Sequence, residues 1–262
     1  MRYPSSLRLP LFLALGTLGA CTTPGLDVIA RVQQAKLGGS VGANSSGVAL
    51  QSNDVANDLG LGETSDEFGG RADLSFGAGK WTFAWSPASF SGNGTLSTDI
   101  TQGGTTIPAG TAVSSDVRMD VGTLIWTFDF VPTDTVELGL GAGVQLLDFN
   151  GKITDGADTV SLDQVVPVPV LAARAGVAFG PFDVSALLSG IQVKEGGDEG
   201  TLFDADVMGR WRFFGGVAGH LAFSAVLGWH KSDVKLDYTD SSDHVDADLN
   251  VSGLYYGLCF GF

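Results

Sequence analysis

Residues Val136–Leu146 read VELGLGAGVQL, and the reading of this stretch decides the fold. Val136, Leu138, Leu140, Ala142, Val144 and Leu146 alternate with Glu137, Gly139, Gly141, Gly143 and Gln145. A strict period of two is the mark of a strand with one apolar and one polar face. Lys80–Ser86, KWTFAWS, repeats it, with Trp81, Phe83 and Trp85 opposite Thr82, Ala84 and Ser86. So does Thr201–Phe213, where Phe203, Ala205, Val207, Gly209, Trp211 and Phe213 oppose Asp204, Asp206, Met208, Arg210 and Arg212. A soluble sandwich contains such strands too, so number and spacing must choose between architectures.

Working outward, candidate strands fall near 29–41, 67–77, 80–91, 117–131, 134–148, 165–179, 181–193, 201–214, 218–235 and 246–262. The first alternates poorly. The fourth changes its apolar face near Gly122-Thr123, where Met119 and Val121 give way to Leu124, Trp126 and Phe128; a β-bulge is expected there. Short turns at Gly77-Ala78-Gly79, Pro132-Thr133, Gly180 and Gly215-Gly216-Val217 alternate with long polar, mostly acidic loops through 42–66, 92–116, 149–164, 194–200 and 236–245. Short turns at one end and long loops at the other is the layout of a transmembrane β-barrel. The expectation is an all-β, antiparallel transmembrane β-barrel over 29–262, of about ten strands, with eight as the alternative. An even number places both chain ends on the short-turn, periplasmic side and the long acidic loops outside.

Composition agrees. The chain has 262 residues, 44% hydrophobic and 16% charged, with 38 glycines and a formal charge of −15. That hydrophobicity is wrong for a disordered chain. Fourteen basic residues against 29 acids argue against nucleic acid, whose phosphates need Lys and Arg. Two cysteines, Cys21 and Cys259, exclude a disulfide scaffold and a cysteine-based zinc site. After the N-terminal stretch no apolar run reaches the length of a membrane helix.

The two ends carry addresses. Arg2 and Arg8 precede an apolar stretch, Leu9–Leu18, too short to span a bilayer, which reads as a signal peptide over 1–20. It ends Leu18-Gly19-Ala20-Cys21, which resembles the lipobox of bacterial lipoproteins, and the resemblance implies acylation of Cys21 before a short linker, 21–28. Thr22 follows where an aspartate would imply inner-membrane retention. The chain stops at YYGLCFGF, Tyr255–Phe262. Gly257, Phe260 and Phe262 resemble the C-terminal assembly signal of bacterial outer-membrane β-barrel proteins, with Tyr255 at its polar position. That resemblance implies recognition by the barrel-assembly machinery and residence in the outer membrane, among its lipids and lipopolysaccharide. Trp81, Trp85, Trp126, Trp211, Trp229 and Tyr256 are the candidate interfacial aromatics.

If the apolar faces meet lipid, the opposite positions line the lumen: Arg71, Asp73, Arg118, Asp120, Glu137, Arg174, Asp183, Asp204, Asp206, Arg210 and Arg212. Five positive and six negative groups are close to balance, and buried charges need partners. An ion-pair network filling the lumen is therefore expected, since a barrel of about eight strands is filled by its own side chains. A structural, adhesive or surface-interaction role follows, with a narrow solute channel and a lipid-anchored soluble sandwich as alternatives.

His230-Lys231-Ser232 is the sharpest hint of chemistry, because residues two apart share a strand face and a base then stands beside a nucleophile. It resembles the His-x-Ser pair of outer-membrane lipid A deacylases, with Asp240, Asp243 or Asp246 as orienting acid. Alternation with Leu227 and Trp229 turns His230 inward, Asp233 replaces the family's asparagine, and nothing marks an oxyanion hole. Catalysis is not the expectation. The acidic groups Asp148, Asp155, Asp158, Asp163 and Asp237, Asp240, Asp243, Asp246, Asp248 lack EF-hand spacing and read as solvated loops. No cofactor or metal is expected.

Overall fold

The computed structural model describes residues 24–45, 52–102, 104–131, 133, 135–195, 198–215, 221–240 and 243–262. The signal peptide expected over 1–20 and the expected acylation site Cys21 lie outside them. Ten long strands follow one another: β1 (Gly25–Ser45), β2 (Thr64–Phe76), β3 (Gly79–Thr95), β4 (Ala112–Asp129), β5 (Val136–Thr154), β6 (Thr159–Phe179), β7 (Phe182–Glu195), β8 (Asp198–Phe214), β9 (Ala222–Asp240) and β10 (Asp243–Gly261). Each pairs antiparallel with its neighbour in sequence, and β10 returns to β1 from Asp27↔Gly261 to Ser45↔Asp243. The sheet therefore closes into a ten-stranded barrel without free lateral edges along that join. Both β1 and β10 meet the short-turn end, where Leu26 and Phe262 exchange backbone hydrogen bonds of 3.3 and 2.9 Å.

The strands overrun the expected segments mainly toward the long-loop end, and β1 also begins four residues earlier than expected, at Gly25. β1 and β6 reach 21 residues, whereas a tilted crossing of a bilayer needs about 9–11. Much of what reads as loop at 92–116, 149–164 and 236–245 is strand: β3 runs to Thr95, β5 to Thr154 and β9 to Asp240.

The two halves of the barrel have opposite polarity. Toward the short turns, the outer face is apolar and aromatic: Phe83, Leu140, Val177 and Leu258 are 47%, 60%, 43% and 49% exposed. Two runs of touching aromatics sit at this rim: Phe179, Phe182 and Trp211 stack, with Phe213 tilted against Trp211, and Phe214, Phe223 and Phe260 meet edge-on. Toward the long loops the outer face carries Lys36, Asp66, Asp116, Arg118, Asp148 and Lys152, and the inner face is apolar. There Leu37, Phe90, Val113, Val117, Met119, Val121, Leu249 and Val251 form one buried cluster.

This inversion removes the expected bulge. β4 pairs with β3 without a register shift from Gly79↔Phe128 to Thr95↔Ala112, straight through Gly122. Met119 and Val121 lie on the same inner face as Ile125 and Thr127. It is the medium around the strand that changes, not the strand's face. The register shift the structure does show lies between Arg212 and Phe214 in β8.

Two segments fold inward and fill the long-loop mouth. Val55, Leu59 and Leu61 come from the segment between β1 and β2, and Leu96, Ile100 and Ile107 from the hairpin between β3 and β4; all belong to the inner apolar cluster. Asn53 ties the segments together: its Oδ1 accepts from the amides of Ser97 and Thr98 at 2.9 and 3.0 Å, and its Nδ2 donates to Thr98 Oγ1 at 2.9 Å. The plug touches the wall at Gly94, where an added Cβ would stand 2.0 Å from the Asp58 carbonyl oxygen.

Candidate functional site: the charged lumen

Below the plug, side chains from seven strands meet across the barrel axis. Their strands alternate, so one small set of inward positions supplies every group. Arg31 of β1 donates to Asp206 of β8 and to Ser86 of β3, each at 2.6 Å, and its guanidinium lies 4.4 Å from the Tyr255 ring centroid. Tyr255 donates to the other oxygen of Asp206 at 2.5 Å. Arg71 pairs with Asp73 at 2.9 Å and reaches Asp206 at 3.9 Å. Thr82 donates to Asp73 at 2.5 Å, and Arg174 donates to Thr82 while lying 3.6 Å from Asp73 and 3.5 Å from Glu137. Lys80 completes the chain on Glu137 at 2.5 Å. Nearer the short turns, Arg210 bridges Asp27 and Asp183, both at 2.7 Å.

Each buried charge thus faces an opposite one, the condition under which charges persist in a low-dielectric interior. The network spans the lumen at mid-height. Beneath it a vestibule of about 340 Å³, lined by Asp27, Glu137, Asp183, Arg210 and Arg212 among others, opens toward the short turns.

Of the lumen positions read from sequence, Arg71, Asp73, Glu137, Arg174, Asp183, Asp204, Asp206, Arg210 and Arg212 are on the inner face. Arg118 and Asp120 are not. They form an outward pair at 2.8 Å, with the Arg118 side chain 59% exposed, because β4 at that height turns its apolar residues inward against the plug. The sequence reading missed Arg31, Lys80, Asp27 and Tyr255. Arg31 sits in the poorly alternating first segment. Its signal was the inward series Ile29, Arg31, Gln33, Ala35, Leu37, which mixes polar and apolar residues because β1 passes through both halves.

His230 and Ser232 do share the inner face, yet they do not bond to each other. His230 Nε2 meets Asp204 at 2.9 Å and Nδ1 meets Gln33 at 3.2 Å, while Ser232 Oγ is buried without a hydrogen-bond partner. The imidazole is held between the Asp204 carboxylate and the Gln33 side-chain amide. Gln145, reaching Ser189 at 3.3 Å, continues this polar layer between the network and the plug.

The C-terminal residues take structural places. Gly257 faces the β1 backbone so closely that a Cβ would lie 2.1 Å from the Ala30 carbonyl oxygen. Phe260 packs edge-on to Phe223 with centroids 5.3 Å apart, and Phe262 is 60% exposed at the rim.

The sequence matches no protein-family model and no curated protein. Solved structures do match in fold. The outer membrane protease OmpT from Escherichia coli is 11% identical, covering 90% of this chain and 97% of that one, with a TM-score of 0.53. The outer membrane protein AlkL, solved in lipid bilayers, is 13% identical over all of this chain and 96% of its own, with a TM-score of 0.40. A FadL homologue of Pseudomonas aeruginosa is 9% identical over 91% and 90%, with a TM-score of 0.36. The fold is that of the bacterial outer-membrane β-barrels.

Proposed function

We propose that this chain is an outer-membrane β-barrel with a closed lumen, serving a structural or surface-interaction role rather than forming a diffusion pore. The observation that carries this reading is the double closure: the Arg31–Asp206–Arg71–Asp73–Arg174 network across the axis and the plug tied at Asn53 above it. An open porin needs a water-filled lumen, typically of about 16–18 strands.

In this reading the short turns and both chain ends are periplasmic, with Cys21 acylated and set in the inner leaflet. Gly257, Phe260 and Phe262 engage the barrel-assembly machinery. The charged upper wall stands outside the bilayer among lipopolysaccharide head groups. The paired lumen groups, His230 included, hold the wall together, and neither His230 nor Ser232 is catalytic.

The test is conductance in planar bilayers beside gel mobility with and without boiling. The protein should show a heat-dependent mobility shift and no unitary current steps. Arg174→Leu should lower the temperature of that shift and leave the current silent. Regular current steps from the native protein would overturn the closed lumen.

A further inference from the structure

The barrel wall contains two places where adjacent strands part, and a proline stands at each. The β6–β7 ladder runs from Phe179↔Phe182 to Leu171↔Gly190 and stops. Above it β6 stays paired with β5 as far as Thr159, and β7 with β8 as far as Glu195, but not with each other. The backbone explains why. Ala178 donates its N–H toward the β5 side, to Thr135 at 2.8 Å, so odd-numbered β6 residues direct theirs toward β7. The next two rungs would be Pro169 opposite Gln192 and Pro167 opposite Lys194. Neither proline has an N–H to give, and both face the edge that needs one.

The β2–β3 ladder ends in the same way at Gly70↔Trp85, two residues before Pro87. That seam is covered: Pro87 is buried, the Ser89 amide donates to Ser65 Oγ at 3.3 Å, and the plug lies behind it. At the β6–β7 seam the plug hairpin reaches β6 and buries Val160 but leaves the residues after it open. Ser161–Pro167 are exposed on both faces; Val165 points outward at 61% and Val166 inward at 45%.

The β6 side of the seam is aliphatic, whereas β7 presents Gln192 and Lys194 outward, both bonded to Glu199. Val165, Pro167, Pro169 and Leu171 continue the lipid-facing belt on the outside, and Leu171 is 71% exposed. Val168, Val170 and Ile191 face inward, where they join Ile125, Leu187, Leu202 and Val234 in a separate apolar cluster between the charged network and the plug. Along β6 an apolar surface therefore leads from the belt, through the wall, to the interior.

We propose that the β6–β7 seam is a lateral binding site for an unbranched hydrocarbon chain drawn from the outer leaflet. Its continuity with the lipid-facing belt identifies the occupant, since the bilayer itself presents such chains at the lower end of the slot. This goes beyond the closed-lumen reading and does not depend on it: a barrel silent to ions along its axis still takes an apolar chain from the side.

The experiment uses the purified full-length protein in phospholipid vesicles. It is photolabelled in parallel with a phosphatidylcholine carrying a diazirine on one acyl chain and with a diazirine-bearing palmitic acid. Labelled peptides should be enriched several-fold at 165–171 and 191–193 over 138–146 of β5, an equally lipid-exposed strand. Enrichment with the phospholipid upholds the proposal, and enrichment with palmitate alone overturns the outer leaflet as the source. Even labelling overturns it. In a Cys259→Ala background, Val168→Cys with Val193→Cys places thiols at opposed inward positions. Oxidation should abolish the enrichment, and dithiothreitol should restore it while the heat-dependent gel shift shows the barrel intact. Pro167→Val with Pro169→Val returns the missing donors and should slow amide exchange at Gln192 and Lys194 as labelling falls. Unchanged labelling in the oxidised or zipped barrel would overturn the proposal.

Discussion

The lower and upper halves of this barrel use the same alternation with opposite sign. Below, Leu138, Leu140 and Val144 face out while Glu137 and Gln145 face in; above, Arg118 and Asp120 face out while Met119 and Val121 face in. Nothing in the strand geometry changes between them. What changes is what each face must meet: hydrocarbon outside and a charged interior below, water outside and an apolar plug above. Polarity alternation thus reports that a segment is a strand, while the identity of the inner face depends on its surroundings.

The largest effect that separates the halves is expected at Asp206. Asp206→Leu leaves Arg31 and Arg71 without their shared partner, and breaking a buried pair in this way costs about 3–5 kcal/mol. Urea unfolding in detergent micelles should show that loss. Arg118→Leu breaks an ion pair with the same chemistry on the upper outer face and should leave the curve unmoved, since exposed pairs contribute little. Equal losses would mean that the upper outer face is as dry as the lower lumen.

The outer faces differ by a smaller amount. Leu140→Lys places a charge in the lower belt and should cost about 2–4 kcal/mol of folding free energy in lipid vesicles if it sits near the bilayer midplane. Ser114→Lys, outward on upper β4, should cost nothing detectable in the same assay. A penalty at Ser114 would move the bilayer boundary upward.

The smallest effect tests the uppermost hairpin, between β5 and β6. Amides of Asp158 and Ala157 donate to Asp155 Oδ1 at 2.7 and 2.8 Å and hold its carboxyl below the usual carboxylate range. Because the folded value is lowered, the stabilisation is complete above the unfolded value of about 3.9 and fades as pH falls through the folded one. The two amide resonances should therefore move only below about pH 4. Asp155→Asn should abolish that movement, and a titration nearer neutrality would contradict the turn.

Much of the lower half was legible in the sequence, because lipid outside and charge inside give the strongest contrast along a strand. Trp81-x-Phe83-x-Trp85 and the inward Arg210 and Asp206 needed only counting. The upper strands were not, since Ser114, Asp116 and Asn150 on the outer face read as loop composition when the apolar partners point inward. Arg118 and Asp120 were assigned to the lumen by carrying the lower rule upward. The seam was visible in principle: two prolines two residues apart share one strand edge, and that edge cannot donate. What the sequence lacks is the partner register that shows which neighbour loses the bonds.

The join between β1 and β10 carries a consequence for the order of events in folding. Its rungs link Asp27 with Gly261 and Val28 with Phe260, residues separated by almost the full length of the chain, whereas every other rung of the barrel wall joins strands that are successive along the chain. Loop closure over such a span is entropically the most demanding contact in the molecule. All the other pairings, β1–β2 and β9–β10 included, are local, and the sheet stays open until the nineteen-residue β10 also pairs with β1. Until that join forms, β1 and β10 each present one unpaired edge, the kind of edge that templates pairing with another chain.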